Sequence, residues 1–191
     1  MRRMKVPVVA VVIAGVIAGC GGGEKPKDEA ATAGKVVQGQ TENGTTLKVE
    51  SFVSPATDPV LKQLDAYRIA GGYPAVDYHR VTATAGAMAD RPRVVTFAAK
   101  PGDLSAGKGI DGRFGCDVLN YEWVPIHKAT PATYTQLKSK LCAVKPSAGD
   151  DIKPGAKVVY YLVTDRGFDE RNLRAKNIFG PRDVQFTPVE H

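Results

Sequence analysis

The chain has 191 residues, of which 43% are hydrophobic and 24% are charged, and this composition excludes a fibrous or wholly disordered protein. The formal net charge is +6, from 26 Lys plus Arg against 20 Asp plus Glu. Three basic residues, Arg2, Arg3 and Lys5, lie in an N-terminal segment that we expect to be removed, which leaves 23 against 20, or +3. The other basic residues are scattered, so the charge favours a solvated surface and argues against a nucleic-acid partner.

The N-terminus has the three parts of a secretory signal. Residues 1–5 are basic, and Val6–Ala18 is an apolar run of 13 residues, shorter than the roughly 20 that a spanning helix needs. The run leads into the sequence IAGC, in which Cys20 follows an aliphatic residue and two small ones. The alternatives are a plain secretory signal with an incidental cysteine, or a buried helix. Three glycines follow Cys20 directly, and they argue against a helix.

The IAGC sequence resembles the lipobox of bacterial lipoproteins, and the Gly-rich spacer after it is similar to those of actinobacterial surface lipoproteins. The resemblance implies a signal peptide over residues 1–19, cleavage before Cys20 and a diacylglycerol on its thiol. It places the protein at the extracytoplasmic face of the cell membrane, held there by lipid. Acylation of the new amino group would add a second chain, and two chains anchor stably where one is marginal.

A flexible tether follows the lipidated cysteine. Residues 20–34 are small, polar and without apolar periodicity, and such a segment spans roughly 20 Å as a random coil. The rest of the chain, residues 35–191, is expected to form a single extracytoplasmic β domain. A domain of this size buries roughly two-thirds of its unfolded surface, so it supports its own core.

The domain is predicted to be mainly β. Strand patterns occur in chain order at 47–52, 74–84, 93–99, 114–124, 157–164 and within 177–186. A helix is predicted over Asp58–Ile69, with Asp58 as N-cap, Pro59 as first residue and Gly71 and Gly72 at its end. A second helix is predicted at 134–141 and a loop at 168–174. The run KVVYYLVT at 157–164 is the strongest strand pattern, and we place it centrally in the sheet.

Many short strands with Gly and Pro punctuation favour an antiparallel β-sandwich with one or two short helices. The sequence PGAKVVYYLVT, residues 154–164, resembles the late strands of Ig-like or telokin-like domains of surface lipoproteins. The resemblance implies an antiparallel Ig-like β-sandwich that acts as a binding or adhesion module. It transfers no site residues.

Two cysteines remain after Cys20 is set aside. Cys116 and Cys142 are an even pair in an exported protein, which predicts a disulfide. The competing interpretations are a thiol active site and a metal site. The chain has no Cys-x-x-Cys and no nearby histidine cluster, so the spacing argues against both.

The aromatic residues are the most informative candidates for ligand binding. Tyr121 and Trp123 alternate in a predicted strand, and Tyr160 and Tyr161 lie in another. An outward-facing Tyr121 and Trp123 would suit a sugar or protein surface. The alternative, which the sequence favours, is that Trp123 is a core tryptophan.

No catalytic, cofactor or metal residues are assigned. Asp77, His79 and His127 would make a metal site only if the fold brought them together. The simpler interpretation is isolated, partly exposed histidines. No serine lies in a Gly-x-Ser-x-Gly turn.

The sequence therefore predicts a lipid-anchored surface lipoprotein that acts as a binding, adhesion or envelope-associated module. Its partner is expected to be a protein or an envelope glycan. The alternative is a cell-envelope enzyme or a ligand-capture lipoprotein whose site is assembled from residues distant in sequence.

Overall fold

A computed structural model describes residues 35–52, 54–88, 92–123, 131–144, 151–177 and 184–189. The strands are β1 (Val36–Gln40), β2 (Thr46–Phe52), β3 (Val76–Thr84), β4 (Pro92–Ala98), β5 (Gly109–Asp111), β6 (Arg113–Phe114), β7 (Lys157–Asp165), β8 (Asp169–Asn177) and β9 (Val184–Pro188). The helices are α1 (Pro59–Gly71), α2 (Gly115–Asp117), which continues as a π-helical turn over Val118–Glu122, and α3 (Pro131–Leu141).

All strand pairs are antiparallel and form one curled sheet in the order β5-β4-β8-β9-β1-β2-β3-β7-β6. The two edge strands, β5 and β6, are neighbours along the chain and are separated only by Gly112. One short segment therefore pairs with both ends of the sheet, which is possible only because the sheet curls round to bring β4 and β7 near each other.

The curl encloses the main core. The His79 ring on β3 stacks on the Phe97 ring of β4 with the ring centres 4.0 Å apart, although the two strands are far apart in the sheet order. The buried apolar residues of the enclosed face come from most strands; they include Val37, Leu47, Val81, Phe97, Leu162, Leu173 and Val184. Alternate residues of each strand supply this core, because successive side chains point to opposite faces of a sheet.

The helices cover part of the outer face of β2, β3 and β7. Leu61, Leu64 and Tyr67 of α1 pack with residues of the sheet and of α3 in a second core. The helix begins as predicted, since the Asp58 carboxylate accepts hydrogen bonds from the backbone N–H groups of residues 60 and 61. It ends at Gly72, whose positive φ of 72° suits a residue without a Cβ.

The predicted disulfide is confirmed, and it holds the helical layer together. Cys116 in α2 is bonded to Cys142, which directly follows α3. The strand predicted over 114–124 is wrong beyond Phe114, which ends β6, because residues 115–122 are helical. Val118 and Leu119 are both fully buried on the outer side of the sheet. A helical turn buries two consecutive side chains against one surface, whereas a strand would have pointed one of them away.

Three other features differ from what the sequence predicts. The predicted loop at 168–174 lies mostly within β8, which pairs with β4 despite its charged sequence. The strand β1 was not predicted, and it pairs with β2 and β9. The strand β7 is not central, since only the two-residue β6 lies beyond it. The mainly antiparallel β class is confirmed, and the two-sheet Ig-like arrangement is not.

Replacing both disulfide cysteines, Cys116→Ala with Cys142→Ala, should lower the free energy of unfolding. The cysteines are separated by 26 positions, and the chain-entropy model assigns a loop of this length about 3–4 kcal/mol. Urea unfolding under non-reducing conditions measures the difference. Wild-type protein unfolded with a reductant is the matched control, and it should lose the same stability. A loss below about 1 kcal/mol would contradict a stapling role for this bond.

Candidate functional site

The part of the outer sheet face that the helices leave open carries a polar depression of about 460 Å³. We call it the polar face. It is lined by Lys48, Glu50, Arg80, Thr82, Lys157, Val159 and Tyr161. A volume of this size lies within the range of about 300–1,000 Å³ that is usual for ligand sites.

Strand register brings these residues together. Glu50, Arg80 and Tyr161 lie opposite one another across β2, β3 and β7, and Lys48, Thr82 and Val159 form the next row. Residues in one row lie side by side on the same face, about 4.7–4.9 Å apart from strand to strand. The antiparallel pairing thus assembles a surface from segments more than 100 positions apart in the chain.

Arg80 is the centre of an ion-pair network. Its Nε lies 2.9 Å from Glu50 Oε2, and its Nη1 lies 3.0 Å from Asp58 Oδ2. Lys48 Nζ lies 3.6 Å from the other oxygen of Glu50. The guanidinium also lies 5.7 Å from the centre of the Phe52 ring. Contacts on several sides fix the guanidinium in one position, because its planar donors match two carboxylates at once.

Asp58 joins this network to helix α1. One of its oxygens caps the helix, and the other receives Arg80. The Tyr161 hydroxyl lies close enough to Asp58 to be influenced by its charge. The carboxylate is almost fully buried, and a buried charge is tolerated when it is paired and hydrogen-bonded on all sides. The sequence predicted Asp58 as a helix cap but did not indicate its second role.

The protonation equilibria follow from these contacts. Burial opposes the ionisation of Glu50, but the hydrogen bond and charge of Arg80, with the charge of Lys48, outweigh it and lower the pKa of the carboxyl. Burial and the nearby charge of Asp58 raise the pKa of the Tyr161 hydroxyl. At neutral pH the acid is therefore ionised and the phenol keeps its proton.

The polar face and Asp58 leave one positive charge unmatched. Lys48, Arg80 and Lys157 are three cations against the carboxylates of Glu50 and Asp58. Lys157 is exposed, and no carboxylate partner is found for it among the described residues. The depression thus presents an exposed cation beside a rigid array of donors and acceptors, which suits the binding of an anionic group.

The two aromatic candidates do not share a surface. Trp123 is 4% exposed, stacks on Tyr73 with ring centres 5.5 Å apart, and accepts a hydrogen bond from Tyr67 on its backbone oxygen. This is the core position that the sequence favoured. Tyr121 is 78% exposed on the π-helical turn, and a binding role for it stays a prediction.

The expectation that His79 is partly exposed is wrong. Its ring is fully buried between Phe97 and Phe168, with Nδ1 2.9 Å from Ser51 Oγ and Nε2 3.0 Å from Thr164 Oγ1. A neutral ring donates to one hydroxyl and accepts from the other. Burial without a charged partner lowers the pKa of His79 to about 3.

The suggested grouping of Asp77, His79 and His127 is not assembled by the described chain. Asp77 accepts a hydrogen bond from the backbone of Gly167, while His79 points into the core, and His127 lies outside the described residues. Within the described ranges, no three His, Cys, Asp or Glu side chains are grouped so that they could hold a metal ion.

The chain matches no protein-family model, no curated protein and no solved structure. The geometry of the polar face is therefore what points to a site. Sequence reasoning missed this surface because its residues are ordinary strand positions. The available signal was that polar residues occupy every second position, as Lys48 and Glu50 do in one strand and Arg80 and Thr82 in another. This pattern does not give the register that places the two strands side by side.

Asp58→Asn should cost less stability than Asp58→Ala. Asparagine also caps a helix well, so Asp58→Asn loses only the charge opposite Arg80 and is expected to cost about 1–2 kcal/mol. Alanine loses the cap as well, and we expect about 3 kcal/mol in total. Urea unfolding of the two variants measures the difference, and equal costs would show that only one of the two roles of Asp58 matters.

The free energy of unfolding should fall in acid because of His79. Its folded pKa is about 3, below its ordinary value near 6.5, so the unfolded state binds the proton first. The contribution of His79 to the free energy of unfolding is fully present above about pH 6.5. It decreases toward pH 3, by about 1.4 kcal/mol per pH unit. Between pH 7 and pH 5, wild type should lose about 2 kcal/mol more than His79→Gln, as measured by urea unfolding at each pH. Parallel pH profiles would contradict the assignment.

Proposed function

We propose that the protein is a lipid-anchored extracytoplasmic lipoprotein whose domain binds an envelope component through the polar face. The observation that carries the binding role is the unmatched positive charge of an open, rigid depression. Its guanidinium and carboxylates are already held in place by ion pairs before any ligand arrives, and Lys157 is the group that a ligand would order. Binding then costs little side-chain entropy, which is the usual advantage of a preorganised site.

The anchor is supported by the sequence. Cys20 follows an apolar run, an aliphatic residue and two small residues, and a Gly-rich tether leads from it to the domain. Residues 1–34 lie outside the described part of the chain. Among the helices of residues 35–189 that the structure describes, none has the length and hydrophobicity of a membrane-spanning helix.

The Cys116–Cys142 disulfide supports an extracytoplasmic location. Disulfides form and persist in oxidising compartments and are rare in the cytosol. The bond lies in the helical layer, where it stabilises the side of the sheet that frames the polar face. The same feature thus agrees with export and with a rigid binding surface.

Binding is favoured over catalysis by the placement of reactive groups. Ser51 and His79 form a serine–histidine contact, but both side chains are buried, so a substrate does not reach them. On the polar face, the carboxylate of Glu50 is engaged by Arg80 and Lys48. A carboxylate held in two ion pairs is a poor base, because its lowered pKa weakens its affinity for a proton.

Cys20→Ala should release the protein from membranes, because the residue that would carry the lipid is gone. Membrane and soluble fractions of expressing cells are compared after a carbonate wash, and mass spectrometry of the wild-type N-terminus tests for the lipid. The double variant Cys116→Ala with Cys142→Ala is the matched control: it also loses cysteines but keeps the lipobox, and it should stay with the membrane. Retention of Cys20→Ala in the washed membranes would overturn the anchor.

A further inference from the structure

We propose that the polar face binds a carboxylate-bearing sugar of an envelope glycan, with Lys157 pairing with the carboxylate. This inference rests on the proposed binding function and names its ligand class. Lys48 is held by Glu50, so Lys157 is the cation that the ion-pair network leaves for a ligand. Thr84 lies opposite Lys157 on β3, and Thr82 lies on the same face in the next row.

The charge of the site favours a monoanion. One positive charge is unmatched, and a carboxylate carries one negative charge, whereas a phosphate monoester carries about 1.5 to 2 at neutral pH. The network around Arg80 supplies no further cation, because Glu50 and Asp58 hold that guanidinium in ion pairs. A carboxylate thus neutralises the depression, and a phosphate monoester would leave an excess of negative charge.

The remaining surface suits a sugar ring. Val159 is 40% exposed and offers an apolar contact for the C–H face of a ring. Thr82 and the outer edges of the Glu50 and Arg80 groups offer hydrogen bonds for hydroxyls. From strand spacing, the face measures about 10 Å across the three strands and about 13 Å along them. It is therefore an elongated, shallow surface that accommodates a short oligosaccharide.

A peptide partner is less favoured by the same surface. Protein interfaces gain most of their binding energy from large side chains inserted into well-packed pockets. The polar face offers an open depression with only one strongly exposed apolar residue, Val159, among its lining. It gives a peptide little to anchor to, whereas dispersed hydrogen bonds and one ion pair suit a hydroxylated, charged ring.

Isothermal titration of the full-length protein in detergent with oligogalacturonate tests the proposal. Each sugar of this probe bears a carboxylate, and its methyl ester is the same sugar without the charge. The acid should bind and weaken as salt is added, and the ester should bind at least about tenfold more weakly, as expected for the loss of a charge-assisted contact.

Variants of exposed lysines locate the site. Lys157→Glu should weaken binding of the acid at least about tenfold, and Lys157→Gln should have a smaller effect of the same sign. The matched control is Lys62→Glu on α1, another exposed lysine outside the depression, which should stay within about twofold. Thermal unfolding of each variant confirms that it folds.

Four results would each overturn the proposal: no binding of the acid, equal binding of acid and ester, an unchanged affinity in Lys157→Glu, or equally tight binding of a glutamate oligomer of the same charge. The last result would identify an acidic peptide as the ligand.

Sedimentation with isolated envelope fragments separates failure of the ligand class from failure of the binding function. If Lys157→Glu loses envelope binding while oligogalacturonate does not bind wild type, the binding function stands and only the ligand class is wrong. If wild-type protein does not bind the fragments, the binding function itself fails.

Discussion

The contact between Asp58 and Arg80 is the interaction on which the rest of the structure depends. Asp58 starts helix α1, and Arg80 lies in the middle of β3, so their ion pair of 3.0 Å joins the helical layer to the sheet. Because the carboxylate is buried, losing Arg80 would leave a buried charge without its ion-pair partner. The same contact fixes the guanidinium that organises the polar face. Stability of the helix–sheet junction and preorganisation of the candidate site thus depend on one pair of side chains.

The sheet separates two apolar cores, one on each of its faces. Its enclosed face is almost wholly apolar and contains the one fully buried histidine of the described residues, held by two hydroxyls and two aromatic rings. Its outer face carries a second apolar core where α1, α3 and the π-helical turn cover it. The disulfide fixes that cover, and the polar face lies on the uncovered part of β2, β3 and β7, which meets water. The location of the candidate site is therefore a consequence of where the helical layer ends.

Rigidity links this architecture to the proposed binding role. The polar face lies on β2, β3 and β7, and the positions of its residues are set by backbone hydrogen bonds on both sides of β3. Glu50, Arg80 and Asp58 are held by one another, so a ligand would meet these groups already in place. In the proposed lipoprotein, a tether of about 15 residues would let such a rigid domain reach about 20 Å from the anchored cysteine. The result would be a fixed binding surface with a variable position.

The sequence by itself determined the local features. Asp58, Pro59 and Gly72 marked helix α1 because caps are set by neighbouring residues. The alternation over 74–84 marked β3 and the apolar run over 157–164 marked β7, because both patterns are local. The pairing of Cys116 with Cys142 followed from counting cysteines. Tertiary structure decided the rest. Residues 115–122 are helical where they pack against the sheet, and the charged segment of β8 forms a strand by pairing with β4 and β9. His79 is buried in the enclosed core. It also set the register that places Lys48, Arg80 and Tyr161 on one face, because register depends on partners distant in sequence and a pattern within one strand does not contain them.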